Sequence, residues 1–150
     1  MTKRLAKVSL CALVAIIAGM VSCATVEAAN SPGSWSHLEW LWNTALAGGL
    51  FYSVVPVSVL VLVAVLRPAP SAVGAILVPI VWLAVIFAWW ARRPWLYYGE
   101  FPWSGFQRHF LGMLPVPLSI GFAFALCARS LSSSGTRSRT TSSMSHGERQ

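Results

Sequence analysis

Residues Ala72–Ala91 read AVGAILVPIVWLAVIFAWWA, and Arg92-Arg93-Pro94 close the stretch. This run of about 20 residues carries no formal charge, and a helix of that length crosses a hydrocarbon layer of roughly 30 Å. Trp89, Trp90 and the two arginines stand where a membrane–water interface holds indoles and cations. Within hydrocarbon the backbone must satisfy its own polar groups, so such a segment is a helix.

The rest of the chain agrees with that solvent. Of 150 residues, 56% are hydrophobic and only 10% are charged, against about 25% charged in soluble domains. The apolar residues fall in long runs rather than amphipathic or alternating patterns, which favours spans over a water-facing core. The length allows one compact unit. The sequence therefore predicts an all-α integral membrane protein, with three transmembrane helices behind a signal-like segment, or four if that segment is retained.

Met1–Ala29 opens with Lys3, Arg4 and Lys7, continues through apolar Val8–Val21 and ends in small residues. That is the order of a secretory signal. Val26-Glu27-Ala28 and Ser22-Cys23-Ala24 both offer a cleavage site, and cleavage is the expectation. Met20-Val21-Ser22-Cys23 also resembles a bacterial lipobox, which would make Cys23 a lipidation site. Leu5–Val26 is long enough to stay as an anchor.

Residues 30–42 form an outer interfacial segment with turn residues Asn30, Ser31, Pro32 and Gly33, followed by Trp35, Trp40 and Trp42. His37 and Glu39 lie two residues apart, too weak a spacing to assign a metal. Residues 43–66, 72–91 and 109–128 are the expected spans of a helical domain covering 43–128. Ala45/Gly49 and Gly121/Ala125 have the four-residue spacing of small residues that lets helices approach closely. Arg67-Pro68-Ala69-Pro70-Ser71 reads as a tight turn joining two antiparallel helices. Pro56, Pro79, Pro115 and Pro117 mark expected helix breaks.

Residues 92–108, RRPWLYYGEFPWSGFQR, read as an outer aromatic loop. Arg92, Arg93, Trp95, Tyr97, Tyr98, Phe101, Trp103, Phe106 and Arg108 have the composition of a partner-contact surface and equally suit a headgroup layer. Residues 129–150 are rich in serine, threonine and arginine, and the expectation is a disordered basic tail in the cytoplasm. Arg129, Arg137 and Arg139 suit contact with anionic lipid.

Charge distribution sets the sidedness. With the N-terminus inside, Lys3, Arg4, Lys7, Arg67, Arg129, Arg137, Arg139 and Arg149 face the cytoplasm, eight of the 11 basic residues. Arg92, Arg93 and Arg108 face outward, so the positive-inside tendency selects this orientation. A bacterial inner membrane is the expected location. The net charge of +7 does not point to nucleic acid, because the basic residues cap apolar runs instead of sharing a face with stacking aromatics.

Catalytic motifs are missing. There is no Walker loop, dinucleotide fingerprint, HExxH or CxxC, and Ser104 lacks the first glycine of a nucleophile elbow. Cys11, Cys23 and Cys127 follow no metal-ligand spacing. No cofactor, metal or enzymatic activity is expected. An enzyme would require Glu100, Arg108 and His109 to converge. The expected role is an accessory or assembly subunit of a larger membrane complex, with the lipid bilayer and other membrane subunits as partners. The alternative is a small-solute transporter or channel component built on proline-broken helices.

Overall fold

The computed structural model describes residues 2–30, 38–66 and 71–144. In chain order the helices are α1 (Thr2–Asn30), α2 (Leu38–Asn43), a π-helical turn (Thr44–Gly49), α3 (Leu50–Leu66), α4 (Ala72–Tyr98), α5 (Trp103–Met113) and α6 (Pro115–Met144). No strand occurs among the described residues.

Four segments are long and apolar enough to cross a membrane: Arg4–Asn30, Thr44–Leu66, Ala72–Tyr98 and Trp103–Ser130. Each contains an 18-residue stretch of mean hydropathy 2.3, 2.5, 2.5 and 2.0 respectively, yet only 22 to 33% of that stretch is buried. Leu13, Ile17, Phe51, Leu62, Leu77, Val81 and Phe122 all point outward. A soluble protein of this size rarely leaves apolar patches beyond a few hundred Å² exposed. A bundle surrounded by hydrocarbon can leave its outer face apolar at no such cost.

The helices form a ring in which α1 packs on α3 and α6, and α4 packs on α3 and α6. A smaller diagonal contact joins α3 to α6, while α1 and α4 do not meet among the described residues. Phe124, Leu60, Leu83, Ile120 and Val116 are the largest side chains filled in at the centre. Lipid tails are as apolar as these residues, so association rests on tight van der Waals contact.

Three glycines set the closest approaches. A Cβ on Gly49 would stand 2.5 Å from Met20 Cα, so the π-helical turn lies directly against α1. A Cβ on Gly121 would meet the Ala75 carbonyl oxygen and lie 2.7 Å from Ile76 Cα, joining α6 to α4. A Cβ on Gly19 would collide with Ser53 Oγ and come within 2.8 Å of Ile120 Cγ1, which makes Gly19 the meeting point of α1, α3 and α6. The spacing argument finds Gly49 and Gly121. It misses Gly19, although Cys11, Ala15, Gly19 and Cys23 repeat every four residues and are all buried.

α1 packs as a fourth long apolar helix against α3 and α6, while cleavage of the segment and acylation of Cys23 stay expectations. Cys23 lies inside α1, buried against Gly48. Two of the expected helix breaks are corrected: Pro56 and Pro79 do not interrupt α3 and α4. Their rings are fully buried, so the backbone groups they release are sheltered among neighbouring helices. The break expected in the last span does occur, at Leu114: α5 ends at Met113 and α6 starts at Pro115. Pro115 takes the first helical position, where its missing N–H costs nothing, and Pro117 follows in the same first turn.

α6 is assigned as far as Met144, and disorder of the tail at 129–150 stays an expectation. No proline follows Pro117 to stop it. The turn at 67–70, residues 31–37 with Trp35 and His37, and residues 145–150 lie outside the described residues.

Candidate functional site

The aromatic–arginine segment is helical over most of its length, which corrects the loop expected at 92–108. Ser71 starts α4 by accepting a 3.1 Å hydrogen bond from the Gly74 N–H. The helix then continues through Pro94 to Tyr98. Gly99 stops it with φ 74°, a left-handed conformation that suits glycine, and donates its N–H to the Trp95 carbonyl oxygen at 2.8 Å. Only residues 99–102 link α4 to α5. The end of the apolar run at Arg92 is therefore not the end of the helix, because charge and aromatic rings do not break one and Gly99 does.

That geometry sorts the aromatic residues into two groups. Phe106 is the hub of the first, with ring centroids 5.6 Å from Phe101, 6.2 Å from Trp103, 5.9 Å from Phe110 and 6.5 Å from Phe87. Phe101 and Trp103 are closer still at 4.6 Å, and His109 stacks on Phe87 at 6.2 Å. These offset and edge-on contacts pin the α4–α5 corner. Phe101 and Phe106 are consequently structural, and Trp103 has one side in the cluster and the other exposed.

The second group faces outward from the last turns of α4. Tyr97 and Tyr98 are each 82% exposed, and Trp90, Trp95 and Leu96 are exposed beside them. Trp90, Arg93 and Tyr97 are three and four residues apart, which places them on one stripe of the helix. The Arg92 guanidinium carbon lies 3.2 Å from the Trp89 ring centroid, a cation–π contact. Its Nε is buried without a hydrogen-bond partner, so indole takes the place of a carboxylate as its neighbour.

Glu100, Arg108 and His109 share no hydrogen bond or ion pair. Glu100 sits in the α4–α5 link, Arg108 is exposed on α5, and His109 is engaged with Phe87. Glu39 lies on α2, and its neighbour His37 is outside the described residues.

At the opposite end, Arg4 Nη2 donates a 2.9 Å hydrogen bond to the Ala64 carbonyl oxygen near the C-terminus of α3. Inside the bundle, Ser119 Oγ donates to the carbonyl oxygens of Val116 at 2.8 Å and Ala18 at 3.3 Å. Ser53 Oγ is fully buried without a partner. None of these was legible as a site, because each depends on which helices are neighbours. Comparison with protein-family models, curated proteins and solved structures gives no match.

Proposed function

We propose that this chain is a multi-pass protein of a bacterial inner membrane, with both termini cytoplasmic, that acts as an accessory or assembly subunit of a larger membrane complex. All four apolar helices would cross the bilayer, α1 included, and the eight-to-three split of basic residues sets their direction.

One observation carries the docking role. Tyr97 and Tyr98 are 82% exposed on the last turn of α4 and stay outside the aromatic cluster that holds the α4–α5 corner. Fold stability does not require them there. Rigid aromatic side chains on a well-capped helix, flanked by Trp95 and Arg93, are the residue types that dominate binding energy at protein contacts. The same rings also suit the headgroup layer, and a double substitution separates the two roles.

The test is purification in mild detergent of the native chain and of the Trp95→Ala/Tyr97→Ala variant. The native chain should bring a partner subunit with it. Loss of two hot-spot residues should cost about 2 kcal/mol or more, roughly a thirtyfold drop in affinity. A native chain that runs alone, or a variant that keeps its partner at full strength, would end the docking proposal.

A further inference from the structure

The interface between α1 and α6 sets two thiols side by side. Ser119 Oγ bonds to the Ala18 carbonyl oxygen at 3.3 Å, and Gly19 faces Ile120. These two contacts fix the register of a pair of antiparallel helices. Two turns toward the start of α1 and two turns toward the end of α6 bring Cys11 level with Cys127. One apolar cluster holds both, Cys11 inside it and Cys127 packed against it. Both are free thiols, Cys11 almost fully buried and Cys127 partly exposed. Ala15 and Gly19 make this face of α1 small and buried, which favours close helix packing.

We propose that Cys11 and Cys127 are a redox-active dithiol that a lipid-soluble quinone closes to an intramolecular disulfide. The position of the pair selects the oxidant. Both cysteines lie in apolar, span-length segments and share one apolar cluster with Val8, Ala12, Ala15, Phe124 and Ala128. A charged, water-soluble disulfide would have to shed its hydration to reach them. A quinone dissolves in the same hydrocarbon.

The step balances. Two S–H bonds break and one S–S bond forms. The two electrons and two protons released pass to the two quinone oxygens, giving a hydroquinone. Partly exposed Cys127 is the sulfur the quinone meets first, and Cys11 is the partner that closes the bond. The product ties α1 covalently to α6. Cys23, far along α1 and facing Gly48, serves as an internal control.

The experiment uses the full chain in liposomes, treated with a short-chain benzoquinone, then denatured, alkylated with N-ethylmaleimide and weighed. The untreated chain should take up three alkyl groups, one for each cysteine. The quinone-treated chain should take up one, at Cys23, and a digest should yield Cys11 and Cys127 in a single linked species. Cys127→Ser should take up two with or without quinone. Three alkylations after quinone treatment would overturn the proposal. So would a linkage through Cys23 or between two chains, and so would closure by diamide but not by quinone.

Discussion

Arg4, near the start of α1, donates a 2.9 Å hydrogen bond from Nη2 to the carbonyl oxygen of Ala64, 60 residues away near the end of α3. Helix C-termini leave carbonyls without intrahelical partners, and a cation placed there also complements the helix dipole. A residue that composition assigns to the positive start of a signal thus serves as a cap for another helix. Arg4→Ala should lower stability in detergent by about 1 kcal/mol, and Arg4→Lys should recover part of that loss. Unfolding by titration with a denaturing detergent reads both.

The crossing of α1, α3 and α6 gives a sharper test. Gly19→Ala drives a methyl group into Ser53 Oγ and Ile120, an overpacking cost of about 1–3 kcal/mol. Ser53→Ala removes an oxygen that is buried without a hydrogen-bond partner, so alone it should be neutral or mildly stabilising. Combined, Ser53→Ala should relieve part of the Gly19→Ala penalty, with a coupling of at least about 0.5 kcal/mol in a double-mutant cycle. Strict additivity would contradict this geometry.

The remaining glycines separate close approach from simple occurrence. Gly121→Val meets the α4 backbone at Ala75 and Ile76, which has no rotamer to give, so we expect a loss near the upper end of overpacking costs, about 3 kcal/mol. A Cβ on Gly112, in α5, enters open space. Gly112→Ala should stabilise by about 0.5 kcal/mol, because alanine loses less backbone entropy. Thermal denaturation of both variants in one detergent compares them directly.

Much of the fold was legible because hydrocarbon imposes simple rules. The span at Ala72 begins at the predicted residue, since an apolar run marks its own limits and Ser71 caps it. Gly49 and Gly121 were visible from four-residue spacing. The limits of α4 and α5 were not visible. The sequence shows where a helix leaves lipid, at Arg92, but not how far it continues into the interface, which Gly99 decides. The prolines misled for a related reason. Whether Pro56 or Pro79 breaks a helix depends on the helices around it, and neighbours are tertiary information. The site was legible only as a composition. Its division into a structural cluster around Phe106 and an exposed stripe through Tyr97 required the α4–α5 corner.

Sidedness is open to labelling. In a background with Cys11, Cys23 and Cys127 changed to serine, Tyr98→Cys at the exposed end of α4 should react with an impermeant maleimide on intact cells. Ala72→Cys, at the other end of the same helix, should react only after the membrane is permeabilised. The opposite pattern would invert the orientation drawn from the basic residues.

The account stands or falls on α1 as a resident helix of a membrane bundle, held by Arg4, Gly19 and the contact of Ala18 with Ser119. Intact-mass spectrometry of the protein from carbonate-washed membranes tests this in one measurement. The expected species retains the residues of α1, Thr2–Asn30, joined to the later helices and is found in the membrane pellet. A species shortened after Ala28 or before Cys23, or recovery of the chain in the soluble wash, would contradict it.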